Sequence, residues 1–345
     1  MKPNVKRGLV GLGLTISAIF LFLAFRQINY RDLWHTLQQV QIWWLAPGLV
    51  IYFGGMVVRA WRWQYLFKPL KDVSVGNLFQ IIMIGYMGNN VFPLRMGEVL
   101  RSVVLKRRVD VLISGSLATI VVEKIFDAVV VVGFVLLNLG QLKRLPGGGP
   151  LTQVSGLTTW AAAVFLVGLG LFVVIAMFPK PAQRLLHSIV VKIVPARWRE
   201  SIINVINKFL DGLMSLRSPK DALMILLTSI LVWLMETGLY WSVSQAFNLD
   251  LTFSQLLLLN GVVNMVLLIP AAPGGLGTFD AAGRVMLEAL AISSETALAY
   301  TLILRMAIWL PITLLGALYF IREGLKWTLD ITEMQAQAET VDSSD

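Results

Sequence analysis

Charged residues interrupt apolar runs of this chain at positions that have no cheap alternative use. Glu123, Lys124 and Asp127 break one such run, Glu236 stands in a second, and Arg305 lies about ten residues into a third. A charge at the centre of a bilayer costs roughly 2.5–3.5 kcal/mol on insertion scales, so such residues face a cavity or each other. Two more acid–base pairs, Glu98 with Arg101 and Asp280 with Arg284, each open a short apolar segment. Guanidinium fits phosphate bidentately, which an ammonium does not copy. Arg95, Arg101, Arg284 and Arg305 are therefore candidates for an anionic headgroup. Glu98, Glu123 and Asp280 would balance them or bind an amino or sugar group. Glu123, Asp127 and Glu236 are candidate proton carriers. The alternative is pairing alone, joining Glu123 or Asp127 to Arg305 and Glu236 to Arg59.

Two irregular stretches accompany these charges. Asn89 and Asn90 precede Phe92-Pro93, and a run of Pro, Ala and Gly from Pro270 to Gly277 includes Gly274 and Gly275. Irregular backbone at membrane depth is tolerated only when buried in protein or lining water. A helix beginning near Thr278 would offer N–H groups and a positive dipole to an anion. The Gly-rich run lacks the G-x-x-x-x-G-K-[ST] spacing of a nucleotide loop, so it is not read as one.

These residues need helices to position them. Full spans are predicted at 8–25, 44–61, 111–139, 158–178, 222–247 and 296–321. Two broken hairpins, at 79–105 and 257–287, lie between the second and third spans and between the fifth and sixth. An arm of about 10–14 residues is too short to cross a hydrocarbon core, and paired broken helices point to a midplane site. The fold class is all-α polytopic membrane protein, with two re-entrant hairpins in an inverted repeat of halves at about 44–140 and 222–321. Glu98 to Glu123 and Asp280 to Arg305 are each 25 positions apart, which supports the repeat. Residues 29–42 are placed along the interface, 145–156 in an external loop, and 180–220 as amphipathic surface helices. One membrane domain spans 1–330, and 331–345 form a polar tail. Trp43/Trp44 and Trp61/Trp63 are read as an aromatic belt, with Arg59 and Arg62 snorkelling or binding lipid phosphate at the cytoplasmic end.

Composition bounds the class. The 345 residues are 57% hydrophobic and 14% charged, with mean hydropathy +0.73. The net charge of +9 lies in short loops, which fits membrane topology rather than nucleic acid. It places both termini in the cytoplasm, the first hairpin entering from the cytoplasm and the second from outside. There is no cysteine, so disulfides and thiolate metal sites are excluded. No cofactor is expected. His35 and His187 are read as surface residues. The basic start and the run ending Ala24-Phe25-Arg26 suit an uncleaved span.

The segment Asn89–Leu105 resembles the Asn-Asn-x-x-Pro-x-Arg-x-Gly-Glu-x-x-Arg signature of the lysylphosphatidylglycerol synthase transmembrane, flippase-like family. Glu123–Asp127 is similar to its Glu-Arg-x-x-Asp motif, with Lys124 in place of Arg. Pro273–Ala282 is similar to its Pro-Gly-Gly-Leu-Gly-x-x-Glu motif, with Asp280 in place of Glu. The resemblance covers nearly the whole chain. It implies movement of aminoacylated or glycosylated lipids between leaflets, and the expected partner is a membrane phospholipid or a polyprenyl-linked lipid. Synthase activity is not carried over, since no aminoacyltransferase domain is expected after Asp330. The leading expectation is a non-enzymatic lipid flippase of the inner membrane, with the headgroup between the hairpins. The alternatives are a transferase acting on a lipid-linked substrate, with Glu98 as its acid or base, or an accessory subunit. A homo-oligomer or a glycosyltransferase or aminoacyltransferase partner fits either.

Overall fold

The computed structural model describes residues 15–92, 96–111, 113–138, 179–195, 199–200, 203, 207, 219–267 and 272–324. The described residues are almost entirely helical. The helices are α1 (Thr15–Phe25), α2 (Tyr30–Gln38), α3 (Leu45–Phe67), α4 (Val75–Val91), α5 (Gly97–Val109), α6 (Ile113–Leu137), α7 (Pro179–Ile193), α8 (Pro219–Ala246), α9 (Phe253–Val266), α10 (Thr278–Ala289) and α11 (Ser294–Arg322). Among the described residues, three helical stretches are long and apolar enough to cross a membrane: Ile42–Phe67, Lys220–Ala246 and Ser294–Arg322. These correspond to the predicted spans at 44–61, 222–247 and 296–321. Helix α6 has 25 residues but carries three charges. The predicted loop at 145–156, the span at 158–178 and the tail at 331–345 lie outside the described residues, and the first span is described only from Thr15.

Local chemistry sets the boundaries. The Ser74 and Ser293 hydroxyls accept from backbone N–H groups at the starts of α4 and α11, and Thr252 forms a capping box with Gln255 at the start of α9. Helix α5 ends at Asp110, whose φ of 50° turns the chain into the left-handed region.

Small residues bring the helices together. A Cβ at Gly316 of α11 would strike the Met83 carbonyl and the Met87 side chain of α4. One at Gly97 of α5 would strike the Gly85 carbonyl and the Asn89 side chain of α4. Such glycines are how membrane helices gain close packing without a hydrophobic driving force between them.

The contacts come in matching pairs. Helices α3, α4, α5 and α6 pack in succession, as do α8, α9, α10 and α11. Between the two sets, α3 packs on α8, α4 on α11, and α9 on α6. Polar bonds sort the helix ends into two groups. Lys71 donates to the Val109 carbonyl at 2.6 Å, and Arg108 reaches Gln80 at 2.8 Å and also Glu323. The end of α3, the start of α4 and the ends of α5 and α11 therefore share one end of the bundle. At the other end, the Gln41 N–H donates to the Ala246 carbonyl at 2.9 Å, Ser254 bonds Asn138, and Asn29 bonds Glu295 at 3.4 Å. The hairpin of α4 and α5 thus starts and finishes at one end, and that of α9 and α10 at the other.

Two side-chain expectations change. Trp63 is fully buried and donates to Thr119 at 3.0 Å, so it belongs to the interior and not to a belt. Arg62 is equally buried and does not snorkel. Tyr30 and Trp34 of α2 are exposed at 65% and 64%, and Trp43 at 62%, which leaves these rings available to an interface.

Candidate functional site

The interior charges form one alternating chain across α8, α3, α6 and α5. Arg59 Nη2 lies 2.5 Å from Glu236 Oε2, and Arg59 Nη1 lies 3.9 Å from Asp127 Oδ2. Arg62 grips Asp127 with two bonds, at 2.6 and 3.3 Å, and lies 3.4 Å from Glu123. Glu123 then meets Arg101 at 3.1 Å. Three acids and three guanidiniums balance. Further bonds come from Tyr86, which accepts from Arg59 at 2.9 Å, from Ser229, which accepts from Arg62 at 2.6 Å, and from Trp233, which donates to Asp127 at 3.1 Å. The Nε atoms of Arg62 and Arg101 have no hydrogen-bond partner among the described residues. Arg101 also stacks on Trp63, its guanidinium carbon 4.1 Å from the ring centroid.

Helix geometry explains the order. Glu123 and Asp127 are four apart and share a face of α6, and Arg59 and Arg62, three apart, share a face of α3. The two faces oppose each other, so each guanidinium fits between two carboxylates. Glycine 85 of α4 leaves room for the Arg101 stem, since a Cβ there would strike its Cγ and Cδ.

The expected pair of Arg59 with Glu236 is present. The expected pair of Glu123 or Asp127 with Arg305 is not. Arg305 instead lies 3.1 Å from Asp280. Arg62, Trp63, Tyr86, Ser229 and Trp233 were not among the predicted site residues. The signal for Arg62 was its spacing from Arg59 inside an apolar helix.

The hairpin tips hold the amides and glycines. Asn89 donates to Glu98 at 3.1 Å and accepts from the Gly97 N–H at 2.8 Å, closing the first hairpin. Asn90 donates to Thr313 of α11 at 2.8 Å. Arg95 lies outside the described residues. In the second hairpin Gly274 and Gly275 have φ of 67° and 64°, which favours glycine. A Cβ at Gly274 would crowd the Trp309 indole and come within 3.7 Å of the Asn90 carbonyl oxygen. The two tips are therefore neighbours.

The second break is anchored by α1. Ser17 Oγ donates to the Leu276 carbonyl at 2.8 Å and accepts from the Ala272 N–H at 2.7 Å. The start of α10 does not offer itself to an external anion as expected. Asp280, fully buried, accepts from the Gly277 N–H at 3.1 Å and supplies the negative charge from within the chain. Arg284 also departs from its expected place. Its guanidinium bonds Glu288 at 2.6 Å and the carbonyls of Leu23, Ala24 and Arg26 at 3.3, 2.8 and 2.9 Å, capping the end of α1. These partners hold it at the far end of the second hairpin.

Residues 10–316 match the family described as the lysylphosphatidylglycerol synthase TM region. The chain is 23% identical to the glycosyltransferase AglD of Haloferax volcanii, an alignment covering 100% of this chain and 58% of that protein. It therefore spans less than two thirds of that relative. It is 23% identical to a UPF0104 membrane protein of Methanothermobacter thermautotrophicus, over 80% of this chain and 82% of the other. It is 22% identical to a UPF0104 membrane protein of Pyrococcus horikoshii, over 91% and 96%. No solved structure matches. The chain belongs to the lysylphosphatidylglycerol synthase transmembrane-region family.

Proposed function

We propose that this protein is a lipid flippase that carries an anionic or lipid-linked substrate between the leaflets of the inner membrane. The hairpins α4–α5 and α9–α10 are re-entrant from opposite faces, and the headgroup passes between their tips while the acyl chains stay in the bilayer. The observation that carries this reading is the meeting of the two tips. Hairpins that start from opposite ends of the bundle bring Asn90 and Gly274 side by side. Broken helices meeting in this way supply polar backbone at membrane depth without a continuous pore. The end holding Lys71, Lys106, Arg107 and Arg108 is the cytoplasmic one by the distribution of basic residues. The balanced chain of charges holds the halves together beside that passage.

A second reading has one observation in its favour. A relative is named as a glycosyltransferase, so a transferase acting on a lipid-linked substrate, or an accessory to one, is the alternative. Purified protein in liposomes with fluorescent phosphatidylglycerol or a fluorescent polyprenyl phosphate separates the two. Transport predicts loss of leaflet asymmetry with the lipid chemically unchanged. Absence of exchange for both lipids, with the protein folded, rejects the flippase.

A further inference from the structure

We propose that Lys124 is the residue that contacts the phosphate of the lipid passing between the hairpins. The inference rests on the flippase reading and names the substrate chemistry of its site.

Among the described residues, the buried cations of the interior already have acids. Arg59, Arg62 and Arg101 share Glu236, Asp127 and Glu123, and Arg305 has Asp280. Lys124 is different. It stands near the middle of α6, between the buried Glu123 and Asp127 in sequence, yet it is exposed. Among the described residues no carboxylate lies within ion-pair distance of its Nζ, although Glu123, Asp127 and Glu236 are near enough to interact with its charge. An exposed ammonium halfway along a helix of this kind faces water or a polar ligand, because lipid tails offer no partner.

The packing says where it faces. Lys124, Val131 and Val135 share one face of α6. A Cβ at Gly261 of α9 would strike Val135 and come within 3.4 Å of the Val131 carbonyl, so this face lies against α9. From Val131, α6 runs about 10 Å towards Lys124 at 1.5 Å per residue. From Gly261, antiparallel α9 continues for roughly 7.5 Å to Val266, where the helix ends. Lys124 therefore stands slightly past the height at which α9 ends. On its other side, its Nζ lies 5.9 Å from the ring centroid of Tyr86 on α4, one helical turn before Asn89 and Asn90. The ammonium thus sits over the arm of the first hairpin, near the height at which the first arm of the second ends.

A phosphate is the ligand this position fits. It brings a negative charge to a cluster in which Arg59, Arg62, Arg101 and Lys124 outnumber Glu123, Asp127 and Glu236 by one. The three N–H donors on a flexible stem can follow a headgroup as it moves, which a rigid bidentate fork does less well. A phospholipid and a polyprenyl phosphate share that chemistry.

The test uses the full chain, purified in detergent and incubated in mixed micelles. Separate arms contain phosphatidylglycerol, a polyprenyl phosphate, or diacylglycerol, which has acyl chains and no phosphate. Lipid retained per folded protein is measured by mass spectrometry, with melting temperature alongside. The wild type is expected to retain one phosphate lipid over diacylglycerol, and the preferred arm identifies the source. Lys124→Gln and Lys124→Met should each lower that retention about tenfold or more, as expected for losing a charge-assisted bond. Lys124→Arg should keep it within a few-fold, and diacylglycerol retention should not change. Wild-type retention in folded Lys124→Gln or Lys124→Met overturns the assignment and leaves the flippase reading standing. A wild type that retains neither phosphate lipid above diacylglycerol overturns both.

Discussion

At the scale of single residues, the interior works by partner count. Arg62 is the hub, because its guanidinium serves Asp127 and Glu123 together. Replacing it with leucine leaves two buried carboxylates short of a cation. Removing one member of a buried ion pair costs roughly 3–5 kcal/mol. Arg62→Leu should therefore lower the melting temperature sharply, while Arg62→Lys, which keeps the charge and loses the fork, should fall in between. Equal melting temperatures for Arg62→Leu and wild type would show that Asp127 and Glu123 are sustained by other groups. Arg101→Lys tests the neighbouring link in the same way. The stacking on Trp63 and the bond to Glu123 make that arginine structural, so stability should drop along with any change in lipid handling.

At the scale of elements, the hairpins depend on features that sequence spacing shows only in part. Ser17 satisfies one N–H and one C=O of the second break. A net contribution of about 0.5–1.5 kcal/mol per hydrogen bond makes Ser17→Ala a loss of about 1–3 kcal/mol. Hydrogen exchange should report it locally, as faster exchange at residues 272–277 with α3 and α8 unchanged. Arg284→Leu should free the end of α1 in the same assay, because it removes the cap on the Leu23, Ala24 and Arg26 carbonyls. Uniform protection across α1 in both variants would mean that apolar packing alone holds it. The hairpins themselves were legible, since their arms are short and their breaks are rich in Asn, Pro and Gly. The clamp by α1 was not. A serine in an apolar helix has no pattern that names a partner some 250 positions away.

At the scale of the whole molecule, the arrangement of helix ends makes a prediction about sidedness. The chain has no cysteine, so single cysteines report cleanly. Arg107 and Asp250 are both exposed and belong to opposite ends of the bundle. In oriented membranes, cysteines at these two positions should label from opposite sides, with Arg107 on the cytoplasmic side. Labelling of both from one side would remove the proposal that the hairpins enter from opposite faces. The matched contacts of α3–α6 and α8–α11 imply a further outcome. Gly97→Ala, at the start of α5, and Gly283→Ala, within α10, each place a Cβ against a neighbouring helix. Gly97→Ala should be the more damaging, because its Cβ strikes the Gly85 carbonyl, whereas that of Gly283→Ala strikes the Thr301 side chain.

The sequence by itself determined that this chain is an all-helical membrane protein, and which of its residues must find partners or water. Apolar runs of membrane length, short arms with Gly and Pro breaks, and charges too costly to leave alone are all local or compositional properties. It also offered the Arg59–Glu236 pair as an alternative, because both residues stand in spans that precede a hairpin, and that pair is present. Only the tertiary structure decided the rest of the pairing. Arg62 and Arg101, not Arg305, serve Glu123, and Asp280 takes Arg305. An ion pair needs about 3 Å, while helical periodicity fixes only the face that a side chain shares. Which two faces meet, and at what height, is set by where glycines let the helices close. Those contacts are long-range, and among the described residues they bring Arg59, Arg62 and Arg101 within ion-pair distance of the interior acids and leave Lys124 farther off.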